Sequence, residues 1–452
     1  MGIISTQAGM IPHGQFLRKS IHLLTGAGLL ALTYLLEREL LLGVIATGTV
    51  FSFATYNKRS FRALHKQSGN SLGTLFYPLG VLTAFLLLYR MPVHYFQICL
   101  AILVAGDTMA FLAGQLQPGN IRFHALREEK SLFGVLGFAI TTFFILFALL
   151  PETEFGIPAY VILTIILAIN FELISYRGSD NFSIPVGCAL YFLIMEFHEG
   201  SLGFLIGVVL ISLLGSALLY HYRVLSKTGS FATYILGIYF FGVLGISWSI
   251  PVLAFFFTSV VFTRIHTARR KKPPLAGARN AWQVLANILW ALVASAAYLI
   301  SKHDGFILAY VALIAAVTAD TWSSEIGPVF HKRCFSLADM GMRGAGISGG
   351  ISAAGTLAAI AGALFIAVLS LQAFFGSTNM QLLGMLAASG FLASVADSFL
   401  GAYLEPGLQR LAVFKPAARN DTDRLTPNDV VNLLSSASAP VFFLLIRYLL
   451  VG

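Results

Sequence analysis

The sequence predicts an all-α, polytopic integral membrane protein with about 15 transmembrane helices in two parallel-related halves. Hydrophobic residues make up 57% of the chain and charged residues only 11%, whereas a soluble domain carries roughly 25% charged residues. Apolar runs long enough to cross a bilayer recur along the whole chain. A short acidic motif also occurs twice, at 106–114 (GDTMAFLAG) and 319–327 (ADTWSSEIG).

The 15 predicted spans are ordered along the chain, with short polar segments between them. A helix that crosses the hydrocarbon core needs about 20 apolar residues. The spans are expected near 20–36, 40–56, 72–90, 94–114, 132–150, 156–175, 183–197, 200–221, 230–247, 249–265, 281–300, 305–327, 347–372, 381–403 and 430–450.

The basic residues predict the orientation of these spans. If the N-terminus is cytosolic, 25 of the 29 Lys and Arg fall on the cytosolic side. This is the bias of the positive-inside rule, and it places the C-terminus outside. The net charge of +9 is therefore explained by topology, and we expect no nucleic-acid partner. The three cysteines are far apart in sequence, so we expect no disulfide partner either.

The repeated motif places an acid inside an apolar helix in each half. Asp107 and Asp320 are 213 residues apart, and both spans run from outside to inside. An acid near the cytosolic end of a span is costly and is usually functional, although a structural acid paired with a neighbouring helix is the alternative. The same offset relates Lys130 to Arg343, which predicts an acid and a cation in each half.

Polar residues of the first half are predicted to meet at the cytosolic surface. Acids together with a lysine at a helix start are typical of a site for Mg²⁺ and a polyphosphate. Interfacial anchoring is the alternative for the first group of basic residues and its histidine. The candidates are Arg18, Lys19, His22, Asp107, Lys130, Ser131, Glu172, Asp180 and Asn181.

These residues carry a family resemblance. The ordered set Arg18-Lys19-x-x-His22, GTLFYP, GDxxAxxxG, EKSxxG, Glu172 and DNxxxP resembles the phytol kinase and dolichol kinase family. That family is distantly similar to CDP-diacylglycerol synthase. The resemblance covers about residues 15–200 and implies phosphorylation of a long isoprenoid alcohol by CTP with bound Mg²⁺.

The second half contains a different candidate site for binding phosphate. Beyond Arg343 lies the run GISGGIS, whose glycines would let backbone amides approach an anion at a helix start; small-residue helix packing is the alternative. Gln283 and Asn287 share a helix face, for substrate contact or interhelical hydrogen bonds. The candidates are Gln283, Asn287, Asp320, Thr321, Glu325, Arg343, Ser348, Gly349, Gly350, Ser352, Asp397, Asn428 and Asn432.

The second half resembles the phytyl-phosphate kinase family of membrane proteins. The resemblance rests on QVLAN from Gln283, ADTWSSEIG, GISGGISxxGT and DSxxG from Asp397. It implies phosphoryl transfer from CTP or ATP to a prenyl monophosphate.

Together, the resemblances predict an alcohol kinase-like domain at 1–204 and a prenyl-phosphate kinase-like domain at 205–452. Asp107 and Glu172 would hold metal in the first domain, and Asp320 and Asp397 in the second. Prenyl alcohol would become monophosphate and then diphosphate at the cytosolic side of the bilayer. A parallel-repeat transporter of a lipid or organic anion and a lipid cytidylyltransferase are the alternatives.

Overall fold

The computed structural model describes residues 13–56, 73–115, 122–125, 128–151, 156–174, 178–269, 278–411, 414 and 424–451. These residues are mainly helical, and a helix occupies each of the 15 predicted spans. The protein is an all-α integral membrane protein. It divides into two compact units, Met1–Ile206 and Gly207–Gly452.

The first unit contains seven helices among its described residues, with one hairpin between them. Helix α4 includes a π-helical segment, Ile102–Gly106, directly before Asp107. The elements are α1 His13–Leu32, α2 Arg38–Thr55, α3 Gly73–Leu87, α4 Val93–Gln115, β1 Arg122–Ala125, β2 Glu128–Ser131, α5 Leu132–Leu149, α6 Ile157–Ile174 and α7 Asp180–Phe197.

Helix α7 is the core of the first unit. Its residues 183–195 are all buried, which is typical of a helix that is apolar on every side. It packs against α3, α4 and α6. Gly80 of α3 lies so close to the start of α7 that a Cβ there would be 2.5 Å from the Asn181 carbonyl oxygen.

The second unit begins at Gly207, within α8. A π segment, Ile238–Leu244, continues α9, and a three-stranded antiparallel sheet in the order β4-β3-β5 precedes α13. The elements are α8 Leu202–His221, α9 Lys227–Gly237, α10 Ile246–Arg269, α11 Ala281–Ser301, α12 Gly305–Phe330, β3 Arg333–Ser336, β4 Gly341–Gly344, β5 Gly350–Ile351, α13 Ala353–Phe375, α14 Met380–Tyr403, α15 Glu405–Leu408 and α16 Pro427–Val451.

Helix α12 is the core of the second unit. It contacts α10, α11, α13, α14 and α16, and residues 310–319 along it are buried without a break. Small residues allow this dense packing, as is common between membrane helices. A Cβ on Gly390 of α14, for example, would lie 2.8 Å from the Ala315 Cβ.

The number of membrane spans is smaller by length and composition than the predicted 15. Within the described ranges, ten helices are long and apolar enough to cross a bilayer, and three shorter apolar helices lie at Lys19–Leu32, Gly73–Leu87 and Ile157–Glu172. The two remaining predicted spans coincide with α7, which begins with polar residues, and with α9 and its π continuation. Residues 57–70 of the predicted basic loop at 56–70, and residues 270–277 of the one at 264–280, lie outside the described residues.

Candidate functional site

A polar cavity of about 550 Å³ opens within the second unit. Its walls come from the end of α10, the start of α11, the last three turns of α12, the glycine-rich turn before α13, and parts of α14 and α16. It is lined by twelve of the predicted residues: Gln283, Asn287, Asp320, Thr321, Glu325, Ser348, Gly349, Gly350, Ser352, Asp397, Asn428 and Asn432.

Two carboxylates meet in this cavity. Asp320 of α12 and Asp397 of α14 are close enough to interact electrostatically. Ser435 Oγ of α16 donates to Asp397 Oδ1 over 2.6 Å. Neighbouring carboxylates repel each other unless a proton or a cation lies between them. The packing of three helices therefore creates a place that favours a proton or a cation.

The acid pair has the donor set that a hard cation uses. Among the described residues, no group of three or more His, Cys, Asp or Glu side chains could hold a metal ion. Mg²⁺ is commonly held by one or two carboxylates, with water and substrate phosphates filling its other positions. Asp320 and Asp397 therefore fit a metal that is shared with a phosphate ligand.

The glycine-rich turn forms a different part of the cavity lining. Gly349 has φ +71°, which favours glycine, and a Cβ there would lie 2.5 Å from the Ala402 Cβ. A Cβ on Gly401 would likewise approach Ser348 Oγ to 2.5 Å. The glycines thus let the turn pack closely on α14, while the turn also lines the cavity. The close packing that the sequence analysis gave as the alternative is present, and phosphate contact by this turn stays a prediction.

Ser352 ends this turn by capping α13. Its Oγ accepts a hydrogen bond from Gly355 N at 3.1 Å and lies where a Cβ on Gly327 would come within 2.9 Å. Ser131 does the same for α5, accepting from Gly134 N at 3.0 Å beside Gly114. Both serines therefore serve as N-caps, and both stand against the glycine that ends the acidic motif.

These caps correct the predicted equivalence of Lys130 and Arg343. Ser131 and Ser352 are 221 residues apart, whereas Asp107 and Asp320 are 213 apart, so the second unit has eight extra residues before its cap. Ile351, not Arg343, then occupies the place of Lys130. Arg343 lies on β4, half or more exposed, and its guanidinium forms an ion pair with Asp339. It does not line the cavity.

Gln283 and Asn287 make local hydrogen bonds. Asn280 and Gln283 form a reciprocal capping box at the start of α11, as such residue pairs often do. Asn287 Nδ2 donates to the Gln283 carbonyl at 2.8 Å. Neither contact is between helices, so the amides stabilise the first turns of α11 while lining the cavity. At the start of α16, Asn428 and Asn432 line the same cavity.

A second polar network forms another wall, and of its members only Glu325 was predicted from the sequence. Glu325 Oε2 lies 2.6 Å from His266 Nδ1, and Glu325 Oε1 accepts from Thr263 Oγ1 at 2.7 Å. Arg279 Nη2 donates to that same hydroxyl at 3.4 Å. His266 and Arg279 lie within the predicted basic loop at 264–280, where charged residues are expected from topology alone. The packing of α10 on α12 places His266 in the site, and backbone hydrogen bonds to Val224 and Ser226 place Arg279 there.

Arg279 is a half-buried cation whose backbone is held at a fixed position. Its backbone N–H donates to the Val224 carbonyl, and its backbone carbonyl accepts from Ser226 N. Burial lowers the pKa of its guanidinium, and the Glu325 carboxylate acts in the opposite direction. The cavity thus has an acidic wall at Asp320 and Asp397 and a basic wall at His266 and Arg279.

The first unit brings most of its predicted residues together, in a different electrostatic arrangement. Lys19 forms an ion pair with Asp107, and Lys130 Nζ lies 3.3 Å from Glu172 Oε2. A metal at either acid would have to displace a lysine ammonium from its carboxylate. The carboxylates of the first unit are thus neutralised by lysines, unlike the acid pair of the second.

Other predicted residues of the first unit lie around these ion pairs. Asp180 is within electrostatic range of Asp107, Lys19 and Lys130, and its Oδ1 accepts from Asn181 N at 3.0 Å. The His22 ring lies 4.5 Å from that of Tyr77 and within electrostatic range of Asp107. The Arg18 side chain lies outside the described residues.

Comparison with known proteins assigns the second unit to a family. The integral membrane protein family DUF92 matches residues 210–439. The chain belongs to this family. It is 30% identical to an uncharacterized membrane protein of Methanocaldococcus jannaschii over 188 residues, which cover 40% of this chain and 76% of the relative.

A second relative, an uncharacterized membrane protein of Synechocystis sp., is 29% identical over 223 residues, 47% of this chain and 86% of the relative. No solved structure matches the chain. The family match lies within the second unit and names no activity, so the resemblances of both units to kinases stay predictions.

Proposed function

We propose that this DUF92 member is a membrane-embedded phosphotransferase of isoprenoid lipids. The second unit would convert a prenyl monophosphate to the diphosphate, and the first would make that monophosphate from a long-chain alcohol with CTP. The observation that carries the proposal is the pairing of Asp320 with Asp397 in a cavity that also exposes the glycine-rich turn.

This arrangement suits phosphoryl transfer because that reaction needs positioning and charge neutralisation more than covalent chemistry. Asp320 and Asp397 would hold Mg²⁺, which neutralises the phosphates of CTP or ATP when bound. Thr321, Ser348 and the backbone of the turn line the same cavity and would orient those phosphates. An oxygen of the acceptor phosphate would attack the terminal phosphorus as the bond to the nucleoside diphosphate breaks.

In the first unit, Asp107 would take the proton of the attacking alcohol. Lys19 and Lys130 would leave their carboxylates to hold the nucleotide phosphates, because a polyphosphate carries more negative charge than a single carboxylate. Glu172 would then be free to bind metal. The apolar tail would stay in the bilayer while its hydroxyl reaches the cytosolic end of α4, the orientation that the positive-inside rule predicts.

The second step can be tested alone. Purified full-length protein with Mg²⁺, labelled CTP or ATP and phytyl or farnesyl monophosphate should form the diphosphate. Asp320→Asn and Asp397→Asn should each lower that rate by about a hundredfold or more, as expected when charge stabilisation is lost from a transfer site.

A matched control lies at the other end of the same helix. Asp304 precedes α12 and makes no side-chain cap hydrogen bond, so Asp304→Asn should keep full activity. Absence of transfer from either nucleotide to any prenyl monophosphate would contradict the proposed function and favour a transporter.

A further inference from the structure

His266 has a buried nitrogen for which the fold supplies no partner. Its Nδ1 is engaged by Glu325 at 2.6 Å. Among the described residues, no atom hydrogen-bonds to its Nε2, which is buried. A buried polar atom without a partner is uncommon and calls for an explanation, such as a missing ligand. His266 lines the cavity, so a ligand in the cavity is the natural partner of Nε2.

The residues around His266 hold the ring in place. Glu325 accepts from Thr263 through its other carboxylate oxygen, so both oxygens are engaged and the carboxylate cannot rotate freely. A carboxylate on Nδ1 fixes the ring orientation. Nε2 is then held at a fixed position, as the ring nitrogen left for a ligand.

Arg279 adds a second cation to the same wall. Its guanidinium joins the network through Thr263, and all three of Arg279, His266 and Glu325 line the cavity. With His266 protonated, two cations and one carboxylate leave a net positive charge. A guanidinium matches the geometry of phosphate oxygens, and a phosphomonoester carries about −1.5 to −2 charges at neutral pH.

We propose that His266 Nε2 and Arg279 bind the phosphate of a lipid phosphomonoester, with Glu325 as the positioning residue. This inference rests on the proposed function of the second unit and identifies the side chains that recognise its acceptor. In the absence of a bound cation, Asp320 and Asp397 repel an acceptor phosphate, so His266 and Arg279 are its partners in the same cavity. The site therefore distinguishes a phosphorylated lipid from the corresponding alcohol.

The test measures binding without nucleotide, using dodecyl phosphate and dodecanol, which share one tail. The purified full-length protein in neutral detergent should bind dodecyl phosphate at least about tenfold more tightly than dodecanol, the ratio expected from one or two charge-assisted hydrogen bonds. Equal affinity for the two amphiphiles overturns the proposal. Inorganic phosphate should bind more weakly than dodecyl phosphate, and equal binding would overturn the assignment to a lipid.

Two substitutions at one position separate the ligand contact from the structural role. His266→Asn keeps an amide near Nδ1 for Glu325 but has no atom at Nε2, whereas His266→Gln can extend an amide to the Nε2 position. The Asn variant should bind dodecyl phosphate about tenfold more weakly, the Gln variant should recover part of that loss, and dodecanol binding should not change.

His303→Gln, at an exposed loop before α12, is the matched control and should bind as the native protein does. Unchanged affinity of His266→Asn for dodecyl phosphate would overturn the proposal. A variant that loses affinity for CTP but keeps its affinity for dodecyl phosphate would overturn it as well. The binding test measures no phosphoryl transfer, so its result stands even if the protein shows no kinase activity. If the protein is a kinase but its His266→Asn variant binds dodecyl phosphate normally, this inference is wrong while the proposed function remains.

Discussion

At the scale of single residues, the two units solve the problem of buried acids in different ways. Asp107 and Glu172 each have a lysine partner, whereas Asp320 has another acid, Asp397, as its neighbour. A paired acid is stable in a membrane protein without any ligand, but two adjacent carboxylates need a proton or a cation. The second unit therefore has the stronger indication of a ligand-binding role.

Arginine substitutions distinguish the cavity from its surroundings. Arg279→Gln should lower diphosphate formation by about tenfold or more, because a half-buried cation of the basic wall is lost. Arg343→Gln should keep the rate within about twofold, since this side chain is exposed and pairs with Asp339, as exposed ion pairs contribute little. Initial rates at several monophosphate concentrations measure both effects. A large loss in Arg343→Gln alone would restore the role predicted from sequence.

The residues that could be predicted from the sequence are all unusual within an apolar run. Asp320 and Asp397 stand out because an acid is unusual within an apolar helix. Ser348 and Gly349 stand out because they interrupt the start of the predicted apolar span 347–372. His266 and Arg279 lie within the predicted basic loop at 264–280, where cations are expected on any membrane protein. The place of His266 depends on the contact between α10 and α12, and that of Arg279 on its backbone hydrogen bonds to Val224 and Ser226; no spacing in the sequence encodes either.

At the scale of elements, each acidic helix is followed by a hairpin and a capped helix. The serine caps and the glycines they face correspond in chain order. The Ala110 carbonyl lies beside Gly134 in the first unit, and the Ser323 carbonyl lies beside Gly355 in the second. The strands in between differ, because the first unit has a two-stranded hairpin and the second has a three-stranded sheet. A constant offset therefore fails across the hairpin, which is why sequence alignment by spacing paired Lys130 with Arg343.

The glycine-rich turn offers a test at this scale. Gly349→Ala should destabilise the protein by on the order of 2 kcal/mol, because its φ of +71° disfavours a side chain and Ala402 leaves no room for Cβ. Gly344→Ala is the control, since a Cβ on Gly344 meets nothing within 4 Å. Thermal unfolding in detergent should show a lower midpoint only for Gly349→Ala. Equal midpoints would show that the turn adopts another conformation.

At the scale of the whole molecule, the helical class follows from composition, while the number of spans does not. Helices occupy every predicted span, because long apolar runs can satisfy their backbone in a bilayer only as helices. Helix length depends on where turns and caps fall, and α7 shows that a polar first turn shortens the apolar run. The chain forms two compact units, and the kinase-like character of the predicted domains at 1–204 and 205–452 stays a prediction.

The orientation predicted from basic residues can be tested across one helix. Lys332 and Ser377 are exposed and lie on either side of α13, so cysteines introduced there should face opposite sides of the membrane. A membrane-impermeant thiol reagent should label Ser377→Cys from outside and Lys332→Cys only after the membrane is opened. The native cysteines are buried and should give little background. Labelling of Lys332→Cys from outside would reverse the orientation.

The account's central claim is that two related sites act on successive substrates. The most direct measurement gives the full-length protein a labelled nucleotide and an isoprenoid alcohol, and separates monophosphate from diphosphate. We predict both products from the native protein, accumulation of monophosphate in Asp320→Asn, and neither product in Asp107→Asn unless monophosphate is supplied. Loss of both transfers from either single substitution would contradict the claim.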